Sequence, residues 1–380
     1  MKKKITVSSI IIILLAAAAL ACFFVFGGKK EPSEAMPPIR YVQGIITDTD
    51  SPEHRLVSGF NAADASKAIF LLGTNNRCDE FSLIFAGCDS FDNVDGSARP
   101  DGLSDFAGES FCSLAGFDNV DSLSALGNEE TLRELTVRSV LAAMDTVCYV
   151  SPYDRTGMGK KPLPKMIVLA SPYMSVHGKY DVDSLFSALG CKLPLISPVS
   201  LAADAVIAGK AQKTKLTVGV LMKEASADSA AYCRIIAEKA SASGLDSALC
   251  IPFRVQKDED VLTAFLDSYS ALGRTAPIDA IVIDDTELNS GELQESLQRV
   301  TSVMNVESMT YGNLLAKDFR FVDTGRLVST TVFSMLRRHN LFTHRISQPA
   351  LYDYMLIPRE GNMAERMVLP YNERFIPRDN

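Results

Sequence analysis

The sequence predicts an α/β protein with two lobes of mostly parallel sheet flanked by helices, placed behind an N-terminal membrane segment. Short apolar runs alternate with helical patterns between residues 128 and 300, which is typical of parallel sheets with crossover helices. A basic segment that contains a glycine, "GKAQKTK" at 209–215, separates two such series. The length of 380 residues is enough for two hydrophobic cores.

The N-terminus predicts export or membrane insertion. "MKKK" precedes an unbroken apolar run, Ile10–Phe26, and two lysines follow the run after a pair of glycines. Three alternatives stay open: an uncleaved anchor over residues 5–26, a lipoprotein signal with Cys22 of "ALAC" as the lipidated residue, and full release. In each case residues 31–380 lie outside the cytoplasm, so we expect a cell-envelope protein that is anchored in the inner membrane or lipidated.

These patterns divide the chain into a membrane segment (1–30), a linker (31–40), a first lobe (41–208) and a second lobe (213–380) whose C-terminal segment is free to pack back on the first. The elements expected in the first lobe are a helix in "NAADASKAIFLL", a strand in "FSLIFAGC" (81–88), a helix in "NEETLRELTVRSVLAAMDTV" (128–147), a strand in "KMIVLAS", a helix in "DVDSLFSALG", a strand in "LPLIS" and a helix in "SLAADAVIAGKA". Those expected in the second are the strands "LTVGVLM", "SALCIPF" and "IDAIVID", each followed by a helix, then a helix in "TGRLVSTTVFSMLRRH", a strand in "LYDYMLIP" and an irregular end, "NERFIPRDN".

The cysteines form no metal-binding pattern. Besides Cys22 there are seven, without CxxC or Cys/His zinc spacing, and most lie in apolar contexts typical of buried free thiols. A disulfide between Cys78 and Cys88 is one option in an exported protein. A cysteine-based racemase needs two thiols that face one cleft; Cys88 ends a predicted strand, whereas Cys250 lies inside one.

An acidic stretch holds most of the net charge of −8, which argues against nucleic acid as a partner. It contains the word FDNVD twice, at 91–95 and 117–121. The EF-hand pattern fails, because placing Gly96 at position 6 puts Phe91 at position 1. Calcium ligation by Asp92, Asn93 and Asp95 and a structured loop built on Asx turns are both compatible with the word.

Candidate ligand-binding residues follow the predicted strands, since open parallel sheets bind ligands beyond the carboxyl ends of their strands. They are Asp89, Asp92, Ser171, Tyr173, Ser197, Asp284 and Asp285. Each of these residue types also has an ordinary structural explanation. A serine before proline is a common helix N-cap, and aspartate is common in the first turn of a helix. Phosphate-loop, GxSxG and HExxH motifs are absent from the sequence, so no catalytic residue is assigned.

Two segments carry a family resemblance: "YDVDSLFSALGCKLPLISP" and "PIDAIVIDD". The stretch 165–300 resembles the type 1 periplasmic binding proteins and the related ligand-binding lobes of bacterial repressors. The resemblance implies two α/β lobes with a cleft between them. The region before residue 128 departs from the family's usual opening, and the chain has no tryptophan to stack on a sugar.

The expected function is that of a membrane-tethered extracytoplasmic protein that binds a small solute in an interlobe cleft. The partners expected are the solute and the membrane, with a protein partner possible and nucleic acid excluded. The expected cofactor is none, with Ca²⁺ as an option. Two alternatives stay open: an envelope hydrolase that uses strand-end carboxylates with a divalent metal, and a structural or assembly partner without a ligand.

Overall fold

The computed structural model describes residues 37–116, 129–149, 158–223, 227–255, 260–274, 276–284, 288, 290–302, 311–343, 347, 349–359 and 362–375. Their contacts divide into two compact units. The six-stranded unit comprises the described residues of 37–198 and 328–375, and the four-stranded unit those of 199–327. The predicted anchor and Cys22 lie outside the described residues, and within them we found no helix that is long and apolar enough to cross a membrane.

The six-stranded unit contains most of the chain. Its helices and strands are α1 (Arg40–Thr47), α2 (Pro52–Ser58), β1 (Ala68–Gly73), α3 (Asn75–Gly87), β2 (Ser110–Ala115), α4 (Glu129–Met144), β3 (Val147–Tyr149), β4 (Met158–Lys160), β5 (Pro164–Leu169), α5 (Pro172–Val176), α6 (Lys179–Leu189), β6 (Leu195–Ile196), β11 (Ala350–Arg359) and β12 (Asn362–Phe375).

The main sheet of this unit has the order β12-β11-β2-β1-β5-β6, and every pair except β11–β12 is parallel. All six residues of β1 and of β5 are buried, as expected for central strands of a sheet that is covered on both faces. Phe70, Leu114 and Ile167 belong to one large core with residues of α4 and α6. On the other face, Phe85 of α3 stacks on Phe111 of β2, with ring centroids 5.1 Å apart.

The four-stranded unit is a second parallel sheet, of order β10-β9-β7-β8. Its elements are α7 (Pro198–Ile207), which begins at the unit boundary, β7 (Lys215–Met222), α8 (Ala227–Ala242), β8 (Ser247–Arg254), α9 (Val261–Ala271), β9 (Ile278–Asp284), α10 (Ser290–Thr301), a 3₁₀ turn (Gly312–Leu314), β10 (Leu315–Asp323) and the start of α11 (Thr324–Arg338). A disulfide joins Cys233 of α8 to Cys250 of β8.

A buried ion pair fixes the returning C-terminal segment to the six-stranded unit. Lys165 Nζ lies 2.5 Å from Glu109 Oε2, and both side chains are fully buried. The same ammonium donates to the carbonyls of Ala65 and Leu341, at 3.0 and 2.8 Å, and Glu109 Oε1 accepts from the Thr343 amide at 2.7 Å. Every partner is hydrogen-bonded, which is what makes burial of both charges tolerable.

Two elements predicted near the start of the fold are wrong. "FSLIFAGC" is not a strand but the end of α3, whose buried residues Cys78, Phe81, Ser82 and Phe85 follow helical spacing. The helix predicted in 61–72 is not formed: residues 61–67 are loop and turn, and 68–72 belong to β1, whose apolar run is buried on both faces of the sheet. Each run is too short for apolar content to separate helix from strand.

At the C-terminus, the end predicted to be irregular forms β12 as far as Phe375. The sequence prediction also missed β2 altogether. The helices and strands expected from residue 128 to residue 301 are confirmed, including the end of α6 at Gly190, which has a φ of 70°.

Candidate functional site

The chain reverses direction across the six-stranded sheet between β1 and β5. From β1 it crosses through α3 to β2 on one side, and from β5 it crosses through α5 and α6 to β6 on the other side. The two crossovers therefore place a topological switch point at the carboxyl ends of β1 and β5. Open α/β sheets bind ligands at such a switch point. We call this place the β1–β5 edge, and it comprises Thr74, Arg77, Ser171, Ser175 and Ser197.

Ser171 lies two residues after the end of β5 and is the most unusual residue of the β1–β5 edge. Its relative exposure is 0%, and its Oγ has no hydrogen-bond partner among the described residues. It precedes Pro172 at the start of α5 but makes no capping hydrogen bond, so an N-cap role does not explain it. A buried hydroxyl without a partner is costly, and its presence at a switch point suggests a ligand or water partner.

Further hydroxyl groups adjoin Ser171. Ser197 follows β6, and its Oγ lies 2.7 Å from Ser175 Oγ of α5, with both residues buried. Tyr173, another candidate from the sequence, is buried in α5 with its ring 4.4 Å from that of His177. Ser171, Tyr173 and Ser197 thus lie in the segments that follow β5 and β6, where α5 begins after β5, and a ligand-binding role for them stays a prediction.

The other side of the β1–β5 edge is the start of α3. Thr74 caps this helix, accepting a hydrogen bond from the Arg77 amide at 3.2 Å. The Arg77 side chain pairs with Glu80 at 2.7 Å, and its Nε donates to the carbonyl of Ala170 at 3.4 Å. Arg77 therefore joins the first turn of α3 to the residue that precedes Ser171.

A glycine lets the two strand ends approach closely. A Cβ at Gly73 would lie 3.0 Å from the backbone nitrogen of Ser171 and 3.3 Å from Ala170 Cβ. The amides of Ala170 and Ser171 both point to the Leu72 carbonyl, at 2.8 and 3.4 Å. The segment that carries Ser171 is therefore held by β1 on its amide side and by Arg77 on its carbonyl side.

The first turn of α3 offers hydrogen-bond donors to an anion, with the Arg77 guanidinium shared with Glu80. The helix α3 has thirteen residues and no acidic residue in its first turn, so its positive end is not neutralised there. Arg77 lies in the same turn, and hydroxyl groups donate readily to carboxylate oxygens. A small molecule with a carboxylate group fits these donors.

The first FDNVD word is a hydrogen-bonded loop after a helix, not after a strand as predicted. Asp92 Oδ1 accepts from the amides of Val94 and Asp95, at 2.9 and 3.1 Å. The Arg99 guanidinium donates to Asp92 Oδ2 at 2.7 Å and, with the loop amides, holds the pKa of that carboxyl below its usual range. Phe91 stacks on Phe333 of α11, with ring centroids 4.4 Å apart. These contacts fit the Asx-turn interpretation.

The neighbouring acids are bound to backbone in the same way. Asp89 accepts from the amides of Asp101 and Gly102, at 3.0 and 2.9 Å, and lies in this loop rather than at the β1–β5 edge. No group of three acidic, histidine or cysteine side chains able to hold a metal occurs in the described part of the chain. Calcium ligation by Asp92, Asn93 and Asp95 stays a prediction. The second FDNVD copy lies outside the described residues.

Asp284 ends β9 in the four-stranded unit and is buried, while Asp285 lies outside the described residues. A hydroxyl pair is found at the carboxyl end of the neighbouring strand β10, where Tyr232 Oη lies 3.5 Å from Thr324 Oγ1. Asp284 therefore belongs to a different unit from Ser171, Tyr173 and Ser197.

The cysteines offer no pair of reactive thiols. The structure corrects the predicted Cys78–Cys88 disulfide, since both are free, and Cys250 is not a free thiol but is bonded to Cys233. Cys78 is buried and donates to the Leu71 carbonyl at 3.3 Å. Burial raises the pKa of the Cys88 thiol to about 11, and its Sγ donates to Asp105 Oδ2 at 3.0 Å. A thiol in this state is a poor base or nucleophile at neutral pH.

Sequence reasoning missed Thr74 and Arg77 because it placed no strand before them. The signal was present in "AIFLLGTNNR", where a buried run ends in Gly73 and a threonine N-cap opens a helix. Because that run was predicted to be part of a helix, the residues that follow it were not considered as strand-end residues. The α3 side of the β1–β5 edge was therefore missing from the predicted site.

Comparison with known proteins found similar solved structures but no similar sequence family. No family model and no curated protein matches the chain. Among solved structures, glutamate racemases from Bacillus anthracis and Francisella tularensis each cover 76% of this chain and 88% of their own, at 12% and 13% identity and a TM-score of 0.44. The glutamate racemase from Thermus thermophilus covers 80% of this chain and 96% of its own, at 12% identity and a TM-score of 0.41.

These neighbours share a two-domain α/β topology with mostly parallel sheets, and at such scores the likeness assigns no activity to this chain. They do contradict one prediction. The matching structures named above are enzymes, which contradicts the prediction of a solute-binding protein. The cell-envelope location stays a prediction, because the N-terminal segment on which it depends lies outside the described residues. The hydrolase alternative gains no support either. That alternative uses strand-end carboxylates with a divalent metal, and among the described residues Asp89 and Asp284 are not part of any group of side chains that could hold a metal.

Proposed function

We propose that the six-stranded unit holds the substrate site of an enzyme that acts on a small carboxylate-bearing molecule, at the β1–β5 edge. The buried, unpartnered hydroxyl of Ser171 at the switch point carries this proposal. The ligand's carboxylate would accept from this hydroxyl and from the first turn of α3, with Arg77 as the cationic partner. Rigid strand ends and a clamped backbone are what an oriented substrate requires.

Cysteine-based racemisation is not part of the proposal. That chemistry needs two thiols at one cleft, and every cysteine except Cys22 lies within the described residues. Cys88 carries a raised pKa and follows α3, and Cys250 is consumed in a disulfide. Incubation with either enantiomer of glutamate in D₂O should therefore leave the α-proton in place. Exchange that is abolished by Cys88→Ser would contradict this conclusion.

A thermal-shift screen of the full chain tests the substrate class. Succinate, lactate and acetate are compared with their neutral amides, so that only the charge of the ligand changes within each pair. A ligand present at 100 times its Kd adds about 2.7 kcal/mol to the stability of the folded state. We expect a shift with at least one carboxylate and none with its amide.

Three variants locate the binding. Ser171→Ala and Arg77→Gln should each reduce the shift, because one removes the unpartnered hydroxyl and the other removes the cation. Ser187→Ala, at an exposed position of α6 in the same unit, is the matched control and should keep the wild-type shift. Equal shifts in all three variants would place the ligand elsewhere.

A further inference from the structure

The β11–β12 hairpin extends past the carboxyl end of its neighbour β2. β11 is parallel to β2 in a register that ends with Met355 opposite Ala115. β2 ends there, whereas β11 continues to Arg359, which at about 3.3 Å per residue is about 13 Å further. β12 returns antiparallel, with Ile357 opposite Met367.

This overhang lies on the same side of the sheet as the β1–β5 edge. Because β1, β2, β5 and β11 are all parallel, their carboxyl ends share one edge. Among the described strands only β2 lies between β11 and β1, so the hairpin rises about 10 Å to the side of Thr74. Among the described strands, only β11 and β12 pair with each other along the overhang.

The base of the overhang is fixed in place. Leu356, the first residue past the end of β2, is 3% exposed and belongs to the main core with Tyr354. It packs against Gly116, where a Cβ would come within 2.6 Å of Leu356 Cβ. Ser113 Oγ also donates to Asp353 Oδ1 at 2.8 Å, which ties β11 to β2 just before the sheet ends.

The β11–β12 pairing has two register shifts, one between Asp353 and Tyr354, two residues before β11 passes the end of β2, and one between Pro358 and Arg359 within the overhang. Such bulges bend a strand and are common beside binding sites. From the anchored base, the register and the shared edge, we infer that the overhang of β11 and β12 is a fixed wall of the β1–β5 edge that limits the size of the ligand. This inference rests on the proposed function, which supplies the ligand. The position of the hairpin beside the edge can be tested without any ligand.

The test measures access to the first turn of α3. Asn76→Cys, at an exposed position of that turn, is introduced into the full chain with the native hairpin and with a shortened one. In the shortened form an Asn-Gly turn replaces Pro358–Arg366, so the Ile357–Met367 pair is kept. Peptide mass spectrometry then follows modification at position 76 by N-ethylmaleimide and by a polyethylene-glycol maleimide.

The quantity compared is the modification rate by polyethylene-glycol maleimide divided by the rate by N-ethylmaleimide. At position 76, shortening the hairpin should raise this ratio several-fold. It should leave the ratio unchanged for Leu272→Cys, an exposed position in the four-stranded unit. An unchanged ratio at position 76 would overturn the inference. A Thr-Asn-Gly-Thr insertion between residues 360 and 361 should lower the ratio, and it carries the test if the shortened chain does not fold.

Failure of the proposed function shows in a different measurement. If no carboxylate shifts the melting temperature of the wild-type chain, the substrate proposal is wrong, while the maleimide ratio still reports whether the hairpin restricts the edge. If carboxylates bind but the maleimide ratio does not respond to hairpin length, the inference that the hairpin forms a wall is wrong, and the proposed substrate site is unaffected.

Discussion

Replacing Ser171 by alanine should stabilise the protein while it weakens ligand binding. The Oγ of Ser171 is fully buried, caps no helix and has no partner among the described residues. No hydrogen bond within the described residues therefore offsets the free energy of removing this hydroxyl from water. Removing such a group recovers up to about 2 kcal/mol. Alanine keeps the rest of the side chain, so the cavity left is only that of one oxygen.

Ser197→Ala gives the matched contrast. Its Oγ lies 2.7 Å from Ser175 Oγ, and removing it leaves that second hydroxyl buried without this partner. The expected cost is about 1 kcal/mol. The two variants should thus change stability in opposite directions.

Urea unfolding of both variants, with and without succinate, measures the two effects together. A loss of more than about 1 kcal/mol in Ser171→Ala would show that the hydroxyl has a stabilising partner in the folded protein. That result would refute the reasoning, because Ser171 would then be an ordinary structural residue.

Three further predictions follow from particular contacts. Gly73→Ala should cost about 1–3 kcal/mol and abolish the ligand shift, because its Cβ would press on the Ser171 backbone; normal stability by urea unfolding would contradict this. Lys165→Met should cost about 3–5 kcal/mol by leaving Glu109 buried without its cation, and adding Glu109→Gln should recover part of the loss. Burial lowers the pKa of Lys161 from 10.5 to about 8, so between these values the unfolded chain binds more protons and stability should rise with pH. Lys161→Met should remove that rise, as measured by unfolding on either side of pH 8.

The sequence was most informative where strands and helices alternate regularly. From residue 128 to residue 301 the apolar runs and helical spacings predicted the elements, and so Ser171 and Ser197 were expected at strand ends, where they lie. The residue types that follow a buried strand are a local property, and local properties can be predicted from one sequence.

What could not be predicted depends on contacts between distant segments. Parallel pairing of β11 with β2 joins residues about 240 positions apart, and no local pattern encodes it. The first strand was misread because apolar runs of similar length form β1 and the end of α3. That one error displaced Thr74 and Arg77 from the predicted site and moved Asp89 and Asp92 into it.

The most direct test of the account is the binding of succinate and succinamide to the full chain, measured by calorimetric titration with wild-type protein, Ser171→Ala and Ser187→Ala. We expect binding of succinate alone, reduced in Ser171→Ala and unchanged in Ser187→Ala. Equal binding of the acid and the amide, or succinate binding that Ser171→Ala leaves intact, would contradict it.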